Sequence, residues 1–263
     1  MEDKTLKRRL FTASVTALAV ATLALTGCAD TSKPNANDNP PPATSAPAVS
    51  AKEAFTSAVK KLNDTSSKAD MSMDGMATMK GTAVTDPAGK KAHATNEVSA
   101  AGVSIKTEII SVNNEVWVKM SGVPGLPDKW MHVAPDKIKA GSSLDISKDS
   151  SAKLETAIVT VERDGATGFK GTLDMSKAGT ASEDMIKQLG EKAKAVPFTA
   201  TVDAQGRLTS IIMDIAAVAP GVGKLTTTYS GFGDTVTVTP PAASDVVEMP
   251  AQFLDAMNKV PTA

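Results

Sequence analysis

Cys28 is the only cysteine of this 263-residue chain, and its thiol is the group best able to form a covalent bond. It follows an uncharged run, residues 10–25, that begins behind Lys4, Lys7, Arg8 and Arg9. Met71, Met73, Met76 and Met79 form a second cluster with chemistry of its own. Thioethers are soft ligands suited to Cu(I). On a strand, Met71, Met73 and Met79 share one parity, and Met76 joins them only if Gly75 marks a bulge. The plainer reading of the four is flexible side chains that pack a core or line an adaptable apolar pocket. His93 and His132 are the only imidazoles. His93 falls in a polar strand pattern and His132 follows Trp130 in a short apolar one, so both read as surface or structural groups. No Gly-x-Ser-x-Gly elbow, phosphate-cradling glycine loop or His-x-x-x-His pair occurs. A Ser/His/Asp set would have to assemble from distant residues. The expectation is therefore no catalytic residue, no cofactor, no resident metal and no enzyme activity, with the Met71, Met73, Met76, Met79 copper site as the alternative.

A basic start, an apolar middle and small residues before a cut are the pattern of a secretory signal peptide. The residues Leu25-Thr26-Gly27-Cys28 resemble the lipobox of bacterial lipoproteins. In that family the thiol is acylated and the chain is cut before the cysteine. The alternatives are an ordinary signal peptide or a spanning anchor. The run 10–25 is shorter than the ~20 apolar residues a spanning helix needs. One acyl chain holds a protein marginally and two hold it stably, at ~0.8 kcal/mol per buried CH₂. Acylated Cys28 is thus expected to tether an exported domain to the outer face of the cytoplasmic membrane.

The segment 1–27 carries a net +2 and the whole chain −1, which leaves −3 for the remainder. A slightly acidic exported domain is a poor nucleic-acid binder, because that role needs clustered Lys and Arg to displace counterions. A lone cysteine has no disulfide partner, so the core must suffice for stability. Aromatic residues are 3% of the chain, few for a site that stacks sugars or bases, whereas twelve Met and many aliphatic residues suit an aliphatic ligand or an ordinary aliphatic core.

The organisation that must position these groups falls into three parts: a signal peptide over 1–27, a lipidated Pro/Asn/Ser-rich linker over 28–50, and one folded domain over 51–263. Ser50 and Glu53 fit a capping box, and Phe55, Ala58, Val59 and Leu62 form one helical stripe. From about Ala69 the apolar period becomes two. Strands are expected over 91–99, 103–112, 115–120, 130–133, 154–163, 169–175, 196–203, 208–215, 224–229 and 236–239. Ala101-Gly102 and Asn113-Asn114 read as tight hairpin turns. A glycine- and proline-rich loop spans 121–129, an amphipathic helix 182–194 and a closing helix 249–260. The fold class is α+β, a meander of about ten antiparallel strands with helices on one face. Trp117 has the parity of the outer sheet face, at a membrane or partner contact or under a neighbouring loop.

In order along the chain, 114–119 (NEVWVK), the Trp130 segment, 204–208 (AQGRL), 229–233 (YSGFG) and 236–241 (VTVTPP) resemble the LppX/LprG group of actinobacterial lipoproteins. The resemblance covers most of 51–260 and implies a curved antiparallel half-barrel with helices packed on its concave face, similar to the Lol lipoprotein carriers. It also implies binding of an acylated lipid or lipoglycan in a hydrophobic cavity and help in moving it across the envelope. The expected partners are that lipid, the membrane through Cys28, and a membrane lipid exporter; the expected state is a monomer. The apolar-parity residues Val103, Ile105, Ile109, Val116, Val118, Met120, Phe198, Val202, Ile211 and Met213 are the candidates to line the cavity or pack a solid core. A scaffold lipoprotein with a collapsed cavity is the alternative.

Overall fold

The structure is a computed structural model that describes residues 49–139, 150–178 and 183–258. Cys28, the segment 1–27 and the linker as far as residue 48 lie outside the described residues. Pro47–Ala263 forms one compact unit.

The first helix, α1 (Ala51–Lys60), starts as its capping box demands. The Glu53 amide donates to Ser50 Oγ at 3.2 Å, and the Ser50 amide donates back to Glu53 Oε2 at 3.1 Å. Its stripe buries Phe55, Ala58 and Val59. Alternating residues then build β1 (Ser67–Met73), β2 (Ala77–Asp86), β3 (Lys91–Ala100), β4 (Val103–Val112), β5 (Glu115–Ser121) and β6 (Trp130–Val133). After α2 (Ser150–Ala157) come β7 (Ile158–Asp164), β8 (Gly168–Leu173), α3 (Met175–Ala178) and α4 (Glu183–Leu189). The chain ends in β9 (Val196–Val202), β10 (Leu208–Asp214), β11 (Lys224–Ser230), β12 (Val246–Glu248) and α5 (Ala251–Met257).

Among the described residues, twelve strands form one open curved sheet in the order β12-β6-β5-β4-β3-β2-β1-β11-β10-β9-β8-β7. The half-barrel of the sequence reading is borne out, with helices on its concave face. Two meanders, β1–β6 and β7–β11, meet where β1 pairs with β11, Met71 opposite Thr227. Every ladder is antiparallel except the edge pair, where β12 runs parallel to β6.

Several elements differ from the sequence reading: β12 is not among the expected strands, Met175 starts α3 where the sequence reads as a strand over 169–175, and two further stretches change type. Residues 154–157 continue α2, and the strand starts only at Ile158. Leu154, Ala157, Ile158 and Val161 fit helical spacing as well as strand spacing, so periodicity alone does not separate the two. Residues 236–239 form no strand. β11, the strand before them, already has β1 and β10 on its two edges, so no ladder beside it is open to them.

The core has two parts. The larger joins α1 to β7–β11: the Phe55 ring lies 5.4 Å from that of Phe169 and 5.1 Å from that of Phe198. The smaller sits under α5 on β4–β6 and contains Ile109, Val116, Val118, Met131, Val133 and Met249. Buried Asn258 ties the end of α5 down, its Nδ2 donating to the Lys137 carbonyl at 2.7 Å and its Oδ1 accepting from the Lys139 amide at 3.0 Å.

Candidate functional site

Directly paired residues of a sheet share a face. Phe198, Met213, Leu225, Met73, Met79, Val98 and Ile105 therefore form one row across the concave side. Tyr229, Ala69, Ala83, Ala94, Ile109, Val118 and Met131 form a parallel row. Both rows start at the larger core, and the second ends in the smaller one. Phe198, Met213 and Leu225 at one end and Ile109, Val118 and Met131 at the other are buried; Tyr229, Ile105 and the residues on β1, β2 and β3 are half-exposed or exposed. The middle also narrows in side-chain volume, with Ala69, Ala83 and Ala94 between bulkier ends. The row between the two, Ile211, Thr227, Met71, Gly81, Asn96, Thr107 and Met120, is mixed, and the Asn96 side chain covers Gly81. The result is a shallow apolar stripe floored by β1–β3 and walled by the two cores.

The sequence candidates divide accordingly. Ile109, Val116 and Val118 are buried in the smaller core, and Phe198, Ile211 and Met213 in the larger. Ile105, Met120 and Val202 are half-buried on the same face. Val103 is 58% exposed at the tip of β4 and stands on the rim, not the wall. Met71, Met73 and Met79 share the concave face, Met73 directly opposite Met79. Met76 leaves them: it sits in the β1–β2 turn, 76% exposed, with its amide donating to the Gly221 carbonyl at 2.9 Å. Gly75 serves that turn and is not a strand bulge.

Sequence reasoning did not single out the small residues Ala69, Ala83 and Ala94. Their period-two spacing was the available signal, but alanine carries little hydrophobic weight in such a pattern. Tyr229 was also passed over as a lining residue. It is half-buried overall, yet burial of its hydroxyl pushes that group's pKa up to about 12.

The convex face is polar and holds both histidines. His93, Ile110, Trp117, His132 and Glu248 form one row across β3, β4, β5, β6 and β12. His93 Nε2 lies 3.0 Å from Glu108 Oε1. His132 Nε2 lies 2.5 Å from Glu115 Oε2, and its Nδ1 lies 3.4 Å from Glu248 Oε1. Trp117 lies on this outer face with its rings 5.6 Å from the His132 ring. Partial desolvation opposes charge on His132, but hydrogen bonds and attraction from Glu115 and Glu248 outweigh it and hold the pKa above the usual histidine value. His132, Glu115 and Glu248 sit at the β5–β6–β12 edge of the sheet, whereas His93 and Glu108 sit on its inner strands β3 and β4.

Among the described residues, no group of three or more His, Cys, Asp or Glu is arranged to hold a metal ion. Among them, too, no helix is long and apolar enough to cross a membrane. No protein-family model matches the chain, and no curated protein matches it either.

Proposed function

We propose that this protein is a membrane-tethered envelope lipoprotein of the LppX/LprG type that binds the acyl chains of a lipid or lipoglycan along its concave face and helps transfer them. The observation that carries this reading is the half-exposed apolar stripe between the two cores. A folded domain gains by burying such surface, at ~25 cal/mol per Å². Here small alanines hold the floor back and leave room for an elongated aliphatic guest. Met71, Met73 and Met79 are unbranched and polarisable, so they adapt to chains of differing length and saturation. Binding would proceed by desolvation, with no covalent step. Lipidated Cys28 and the linker after it would keep the stripe beside the membrane that supplies the cargo, and a membrane lipid exporter is the natural partner for handover.

The test is to purify residues 29–263 and compare native with denaturing mass spectra. Acyl lipids are expected to co-purify, and Ala83→Phe, which fills the floor of the stripe, is expected to cut occupancy several-fold while the domain stays folded. A protein empty of lipid when purified and after incubation with long-chain phospholipid would sink the carrier reading.

A further inference from the structure

The two ends of the half-barrel differ in chemistry. At one end lie the β2–β3, β4–β5, β7–β8 and β9–β10 turns, which carry Asp86, Lys90, Asn113, Asn114, Asp164, Asp203 and Arg207. At the other end lie the loops β10–β11, β1–β2, β3–β4 and β5–β6, neighbours in that order because the strands are, and beyond β10 the helical connection from β8 to β9, which carries Asp174, Lys177, Lys187, Glu191, Lys192 and Lys194 and stands outside this arc. There the stretches 75–79, 98–105, 121–127 and 215–223 contain no charged residue. Met76, Val98 and Val103 are exposed by 76%, 42% and 58% in this arc. Backbone contacts join the loops into a continuous surface. The Met76 amide bonds Gly221, and Gly122 lies so close to the Ser104 carbonyl that a Cβ there would come within 2.1 Å of it.

The turn chemistry repeats the contrast. Asn113-Asn114 and Ala101-Gly102 are both two-residue turns with φ positive at each position. At the polar end the chain uses Asn, which tolerates that region. At the apolar end it uses Ala101 at φ 49°, a conformation alanine resists, and so keeps a side-chain amide off the surface.

We infer that this four-loop rim is a bilayer-contact surface that enters the headgroup–acyl boundary of a membrane. The inference rests on the tether part of the proposed function and is independent of lipid carriage. The chemistry fits a fluid apolar phase better than a shaped partner. Outermost are Ala, Gly, Val and a flexible Met, with none of the Trp, Tyr or Arg anchors on which protein interfaces depend. Asp74 is the one charge in the β1–β2 turn. The charges around the rim are near balance: the β5–β6 loop ends in Asp128 and Lys129, with Asp128 paired to Lys119 at 3.0 Å, Lys224 pairs with Asp214 at 3.0 Å, and Glu97 stands between Lys80 and Lys106 in register. Attraction to anionic lipid is thus a minor contribution, and burial of apolar surface drives contact. The Pro/Asn-rich stretch 29–50 after Cys28 has length enough, at ~3 Å per extended residue, to let the rim reach the membrane that holds the anchor.

The experiment uses residues 29–263, whose compact unit from Pro47 onward holds every described strand and both cores. It is floated with phosphatidylcholine vesicles at low and high salt. The wild type is expected to float with little salt dependence. Met76→Asp with Val103→Asp, both at exposed positions, is expected to lower partition roughly tenfold or more. Ala88→Asp with Ala166→Asp at the polar end is expected to leave it unchanged. Without Cys28 the protein has no thiol, so a spin label on Val103→Cys reads depth by itself and is expected to meet bilayer oxygen. A wild type that fails to float, equal losses in the two Asp pairs, a label that stays in water, or self-association in place of vesicle binding would each overturn the inference. A protein that floats yet purifies empty of lipid keeps the rim and loses the carrier reading.

Discussion

His132 shows how one residue ties an edge of the sheet together. It bridges Glu115 on β5 and Glu248 on β12, and those contacts raise its pKa in the folded state. A group whose pKa rises on folding stabilises fully below its unfolded value, about 6.5 for histidine, and the contribution is lost as pH climbs through the higher folded value. The melting temperature of wild type should therefore exceed that of His132→Gln by more at mildly acidic than at mildly alkaline pH. A gap that stays constant across that range would show that the bridge contributes no charge-dependent stability. Strand parity placed Trp117 on the outer face from sequence alone. The Glu248 partner of His132 was not legible, because it is 116 residues away and arrives through a parallel edge pairing.

Local elements followed local rules wherever the signal was short-range. The Ser50–Glu53 box, the Phe55 stripe and both two-residue turns were readable because each depends on a few adjacent residues. Ala101 is the position where the local rule is strained. Ala101→Asn should stabilise the domain by about 1 kcal/mol, a rise of roughly 2–4 °C in melting temperature, since Asn accepts positive φ. If the rim contacts lipid, the same substitution should weaken vesicle binding, a pairing of effects that relief of turn strain alone would not produce. A thermal melt and a flotation assay on one sample check both. Readings failed at 154–157, where helix and strand periods coincide, and at 236–239, where a strand-like stretch meets no open edge.

At the scale of the molecule, the decisive contact is between the two meanders. β1 pairs with β11, and beyond that pairing the β1–β2 turn packs on the β10–β11 loop, backbone to backbone. A Cβ at Gly223 would lie 1.3 Å from the Asp74 carbonyl oxygen, so the loop can close only with glycine there. Gly223→Ala should cost about 1–3 kcal/mol, read as a lower melting temperature, by forcing the meanders apart. An unchanged melt would mean that this approach is dispensable.

The sequence by itself determined the alternation that makes strands, the turns that join them and the α+β class, because each is written in neighbouring residues. Only the tertiary structure decided which apolar residues are solid core and which are half-exposed stripe. Parity names a face, but cover on that face comes from α1 and α5, which arrive from opposite ends of the domain. It also decided that four loops with uncharged stretches, scattered from residue 75 to residue 223, stand side by side on one rim, since that adjacency comes from strand order.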